Sequence, residues 1–271
     1  MPAAPVSRRC RGAALGGPWL ERSQPLILGH RGARHAAPEN TFAAFNLALE
    51  EGADGVELDV RLNGSGDVLV CHDLTLERVT EGRERRGIHQ LTSAECDAVK
   101  LAGGERLPHL VDVLDWAERR GACLNIELKA DGYGRRRLVR AVARMIEGRA
   151  HAGNLLISCF NPLIVELHAL LAPSIPTAWL VESPLLCRLP LLPHVGSAAF
   201  HPKHSLLTAA TVASWKQSGR RVHTWTVNDD QRARELAAFG VDCLISDRPG
   251  GIRLALAQPN TAPASDELRA S

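Results

Sequence analysis

Little in this chain ties it to a membrane, a nucleic acid or a disulfide framework. No apolar run approaches the ~20 residues of a membrane-spanning helix. The net charge is +2 over 271 residues, which offers no broad field for nucleic acid or an anionic surface. Seven cysteines, at positions 10, 71, 96, 123, 159, 187 and 243, are odd in number and form no Cys-x-x-Cys pair. At this length that argues against a disulfide scaffold and for a reduced, cytoplasmic protein. Arg8, Arg9 and Arg11 precede a short apolar stretch, but glycines and Pro18 break it, so no signal peptide is read there. There is no glycine-rich nucleotide loop, no zinc-type Cys/His spacing and no Gly-x-Ser-x-Gly elbow. Aromatic residues are 4% of the chain and lysines number four, which draws attention to Trp225 and Lys129.

What is present is an alternating plan. From residue 25, short apolar runs alternate with amphipathic helical stretches. Strands are expected at 26–29, 55–60, 123–128, 155–159, 177–181, 197–200, 222–227 and 243–246. Helices are expected at about 40–52, 109–120, 134–149, 161–171, 184–190, 208–219 and 229–239, with one more from 249. Eight such repeats predict a TIM-type (β/α)8 barrel over 25–257. Residues 1–24 and 258–271, rich in Pro, Ala, Ser, Gly or charge, read as disordered tails. The second unit is irregular. Residues 60–63 and 67–71 flank Gly64-Ser65-Gly66, which reads as a hairpin extension, and a small insertion follows over 74–107. Asn40 and Asn161-Pro162 read as helix N-caps.

The most informative stretch is 28–73, LGHRGARHAAPENTFAAFNLALEEGADGVELDVRLNGSGDVLVCHD. Val56, Leu58 and Val60 alternate with Glu57 and Asp59, so both acids lie on one face of a strand. Two like charges on neighbouring inward positions repel, and a hard divalent cation with oxygen ligands is the usual remedy. His30 and His72, each at a neighbouring strand end, can supply an acid and a base beside it.

The ordered run HRG…PENT…AF…GAD-V-E-L-D-V…HD closely resembles the glycerophosphodiester phosphodiesterase family. The likeness continues in Leu107-Pro108-His109-Leu110, Asn125-Ile126-Glu127-Leu128-Lys129, Trp225-Thr226-Val227-Asn228, Gly240-Val241-Asp242 and Ser246-Asp247-Arg248-Pro249. It implies a TIM-type barrel and one divalent cation, Mg²⁺ or Ca²⁺, held by Glu57, Asp59 and Glu127. It also implies catalytic His30 and His72, and hydrolysis of a small glycerophosphodiester to glycerol 3-phosphate and an alcohol. Three departures touch substrate detail rather than chemistry: the Asn63-Gly64-Ser65-Gly66 turn, Cys71 before His72, and Ser246 in place of a usual Thr.

Further residues carry two readings each. Arg31 and Lys129 can contact non-bridging phosphate oxygens; otherwise Arg31 is a surface ion pair and Lys129 a neutraliser of the acids. Asp73 either orients His72 or caps a turn, and Glu39 can face the pocket. Trp225 is an apolar wall for the glycerol backbone or a barrel-core residue, and Asn228 a loop holder. His201 and His204 read as part of a loop at the mouth, and His223 as a residue of lower rank. Residues 184–193 read as a covering helix or as an apolar lip, which would suit a lysophospholipase D. The remaining alternative is a barrel that binds a phosphodiester without cleaving it. Partners are expected to be small molecules, not nucleic acid or a bilayer.

Overall fold

The structure, a computed structural model, describes residues 17–19, 23–132, 134–185 and 196–258. Among the described residues nine strands are formed: β1 (Leu26–His30), β2 (Gly55–Leu62), β3 (Val68–Val70), β4 (Cys123–Leu128), β5 (Leu155–Cys159), β6 (Thr177–Val181), β7 (Ala199–Pro202), β8 (Arg221–Thr224) and β9 (Cys243–Ser246). Eight of them close a parallel ring, because β1 pairs with both β2 and β9. The ninth, β3, lies outside the ring, antiparallel to β2 with Val60 opposite Val70. This is the expected TIM-type barrel with its irregular second unit.

The ring explains why the strands are apolar on both faces. On β4, Leu124, Ile126 and Leu128 pack outward into the core beneath the helices, whereas Cys123 faces the barrel interior with Leu26, Leu28, Leu156, Ala199 and Cys243. The helices described are α1 (Phe42–Glu50), α2 (Ser93–Ala98), α3 (Leu110–Arg120), α4 (Arg135–Ile146), α5 (Pro162–Leu171), α6 (Ala209–Gln217), α7 (Asp230–Ala238) and α8 (Pro249–Ala257). None among the described residues is long and apolar enough to cross a membrane.

Several local expectations change. The first helix is capped by Thr41, whose hydroxyl accepts from the Ala44 N–H, rather than by Asn40. Asn161 does cap α5, with Pro162 in the first turn. The insertion contains α2, opened by a Thr92–Glu95 capping box; six residues are too few to show a helical period. Gly17–Trp19, inside the expected N-terminal tail, form a 3₁₀ turn, and Trp19 is buried and stacked on His223. The rest of that tail up to residue 22, apart from this turn, and the C-terminal tail beyond 258 lie outside the described residues. So do 186–195, which hold most of the expected covering helix or lip; Leu185 before them is exposed.

Candidate active site

The residues singled out from the sequence meet at the carboxyl ends of the strands. His30 ends β1, and the chain turns sharply after it. Arg31 has φ +56° and Gly32 φ +85°. A Cβ on Gly32 would stand 2.5 Å from the Ala44 carbonyl carbon, so only glycine lets this turn lie on α1. The Arg31 N–H pins the turn by donating to the Glu57 carbonyl at 2.8 Å and to Glu57 Oε2 at 3.1 Å.

Register brings the acids together. Asp59 on β2 pairs with Glu127 on β4, and Glu57 with Asn125. Glu57, Asp59 and Glu127 are all buried, with oxygens within 4.8 Å of one another. Lys129 Nζ lies 2.9 Å from Asp59 Oδ1 and also pairs with Glu127. Arg31 Nε lies 3.1 Å from Asp59 Oδ2. Lys129 and Arg31 therefore neutralise the acids in this arrangement, and Arg31 is no surface pair.

Two cations do not satisfy three acids here. Burial, with Asp59 and Glu127 adding to it, pushes Glu57 well above the usual carboxylate range. Burial likewise raises Glu127 to about 7 against the pull of Lys129. Asp59 also feels burial, but Lys129 and Arg31 outweigh it and hold it below its usual range. Three buried carboxylates that resist joint ionisation are a donor set suited to a hard divalent cation with oxygen ligands.

Each histidine is held by its own aspartate. His30 Nδ1 lies 2.7 Å from Asp247 Oδ1, and its Nε2 is 3.9 Å from Glu57 Oε2. His72 Nδ1 lies 2.7 Å from Asp73 Oδ1, so Asp73 stands where it can orient the imidazole. Burial lowers both imidazoles below their ordinary value, although the neighbouring carboxylates pull the other way. A proton on Nδ1, facing the aspartate, leaves Nε2 open for proton exchange.

A cavity of about 240 Å³ opens between these groups. It is lined by His30, Arg31, Glu57, His72, Glu127, Lys129 and Trp225, with Asp59 buried behind them. Trp225 meets Phe160 edge to face at 5.5 Å and donates from Nε1 to the His201 carbonyl at 2.7 Å. His201 is not in a loop at the mouth. It lies in β7, fully buried, 2.9 Å from His223.

Other residues of the site were missed in the sequence or read only in part. Asp247, the partner of His30, sat inside a recognised motif at the end of the last strand, and that position was the available signal. Asn228 donates to Asp247 at 2.7 Å. Asn40 donates to Asp59 rather than capping a helix. Glu39 gathers Arg31, Arg34 and Arg78, and Phe160 and Glu182 line the cavity.

Comparison with known proteins agrees with this geometry. Residues 30–251 match the model of the glycerophosphoryl diester phosphodiesterase family. The glycerophosphodiester phosphodiesterase of Caldanaerobacter subterraneus subsp. tengcongensis is 29% identical, over 83% of this chain and 94% of that protein. A phosphodiesterase of Oleispira antarctica, solved with the product sn-glycerol-3-phosphate, superposes with a TM-score of 0.77 at 27% identity, covering 87% of this chain and 98% of its own. The glycerophosphodiester phosphodiesterase of Thermotoga maritima gives 0.73 at 26%, covering 86% and 100%.

Proposed function

The chain belongs to the glycerophosphoryl diester phosphodiesterase family, which makes it a phosphoric diester hydrolase, and we propose that it cleaves small water-soluble glycerophosphodiesters to glycerol 3-phosphate and an alcohol, using a divalent cation and two histidines. The supporting observation is the convergence of two His–Asp pairs on one buried cluster of three carboxylates.

Glu57, Asp59 and Glu127 would hold the cation, Mg²⁺ or Ca²⁺. When bound, it supplies Lewis-acid polarisation of a phosphoryl oxygen. The remaining work falls to the protein's own side chains. Lys129 has three N–H donors, of which Asp59 and Glu127 take two, so one remains for a phosphate oxygen. Arg31 presents the rest of its planar fork to a second oxygen. Trp225 and Phe160 form an apolar wall against which a glycerol backbone packs.

One imidazole takes the proton of the attacking hydroxyl, and the other, protonated, gives a proton to the departing alkoxide. The attacking group is the glycerol 2-hydroxyl, giving a cyclic phosphate that water then opens, or water itself. Proximity favours the intramolecular route, because the hydroxyl is already tethered beside phosphorus. Residues 25–257 are taken as the catalytic domain. Free, buried thiols at Cys71, Cys96, Cys123, Cys159 and Cys243 suit a reducing, cytoplasmic setting.

A second reading extends the substrate to lysophospholipids. It is favoured by a wider cavity of about 600 Å³ that shares Lys129 and Phe160 with the first. A panel from glycerophosphocholine to lysophosphatidylcholine, with metal restored after chelation, separates the two. Faster release of glycerol 3-phosphate from glycerophosphocholine is expected; a clear preference for the lysophospholipid would overturn the substrate class.

A further inference from the structure

The carboxylate of Glu39, largely buried, is shared among three arginines. Its Oε1 accepts from Arg31 Nη1 at 2.9 Å and Arg78 Nη2 at 2.7 Å. Its Oε2 accepts from Arg78 Nη1 at 3.0 Å and Arg34 Nη1 at 3.3 Å. Each arginine also brings its Nε within ion-pair distance of a different second carboxylate, and Arg78 hydrogen-bonds there. Arg31 reaches Asp59 at 3.1 Å, Arg34 reaches Asp247 at 2.9 Å, and Arg78 reaches Asp73 at 2.6 Å. Asp247 and Asp73 are the aspartates that hold His30 and His72. One arginine and one aspartate thus separate Glu39 from either imidazole, and one arginine separates it from the acid cluster.

We propose that Glu39 is the positioning residue that sets both histidines relative to each other and to the acids, through Arg34, Arg78 and Arg31. This rests on the reading of His30 and His72 as proton carriers. An ion-pair network serving only stability has no reason to end on the aspartates of both histidines. Arg31, Arg34 and Glu39 share the turn after β1, but Asp59 comes from β2, Asp73 and Arg78 follow β3, and Asp247 follows β9, so no single stretch of sequence brings them together. The arginines are specific to the task. A guanidinium presents its Nε and Nη edges to two carboxylates at once, while an ammonium on a flexible stem holds neither orientation. A displacement of about 1 Å at a reacting group costs on the order of 10²-fold in rate, so a loosened brace appears in turnover rather than in affinity.

The test uses full-length protein and two esters. Glycerophosphoethanolamine loses an alkoxide that needs a proton, whereas the glycerol phosphodiester of p-nitrophenol loses a phenolate that does not. Glu39→Gln is expected to lower kcat on glycerophosphoethanolamine by ~10- to 100-fold with KM nearly unchanged. Arg34→Lys acts most directly on the His30 pair, and Arg78→Lys on the His72 pair. On the nitrophenyl ester one of these two should recover towards wild-type kcat and the other should not, because only one histidine is the acid. Both arginines are partly exposed, so these variants fold even where Glu39→Gln does not. Unchanged kcat in the folded variants, or equal losses on both esters tracking a fall in Tm, would overturn the proposal. A wild-type protein that cleaves neither ester would instead remove the proposed function.

Discussion

The side-chain amide of Asn40 donates to Asp59 Oδ2 at 3.0 Å, from a buried residue held at φ +56°. Its own N–H donates to the Arg31 carbonyl at 2.9 Å, so Asn40 ties the turn after His30 to the acid cluster. Asparagine is among the few residues with a side chain that tolerate this backbone region. Asn40→Gly keeps the backbone permissive but deletes the amide. Affinity for Mg²⁺ or Ca²⁺, measured by titration calorimetry, should weaken by ~10-fold or more, the scale of a lost outer partner. Asn40→Ala should lose the same affinity and a further ~1–2 kcal/mol of stability from the left-handed strain. Wild-type metal affinity in Asn40→Gly would remove this role.

Proton transfer gives the next expectation. His30→Ala and His72→Ala should each reduce turnover by ~10²-fold or more. Binding of a non-hydrolysable phosphodiester should change far less, since Lys129 and Arg31 are the proposed phosphate anchors. Near-wild-type turnover in either variant would make that histidine structural.

Acid stability should report His168. It lies on α5 with both ring nitrogens buried and without a hydrogen-bond partner among the described residues. Burial lowers its pKa from 6.5 to about 4. Between those values the unfolded chain takes up a proton that the folded chain refuses, so this contribution is complete above pH 6.5 and is lost as the pH falls towards 4. The loss amounts to roughly 3 kcal/mol. Urea melts of His168→Leu should therefore show a shallower fall in stability over that window than wild type. An identical slope would contradict the assignment. His223, also lowered to about 4 by burial, keeps part of the slope in both proteins.

Legibility in the sequence followed the range of the interactions. Barrel strands are buried on both faces, so they announce themselves as short apolar runs, and the alternation around Glu57 and Asp59 needed only one strand. Glu127 lay within reach because its motif closes a strand, although its contact with Asp59 depends on the β2–β4 register. Asp247 was invisible as the partner of His30, because only the β1–β9 closure brings the last strand beside the first. Asn40 was misread by a local rule. Asn and Thr are both good N-caps, and the tertiary turn that uses Asn40 for Asp59 leaves the cap to Thr41. The Glu39 network has no sequence period, since its members come from loops.

The central claim is tested most directly by glycerol 3-phosphate released from glycerophosphocholine, measured in chelated protein before and after adding Mg²⁺ or Ca²⁺, in wild type and in Asp59→Asn. The three buried carboxylates predict release that stops on chelation, returns with metal in the wild type, and does not return in Asp59→Asn. Undiminished release in excess chelator, or equal recovery in the variant, would contradict it.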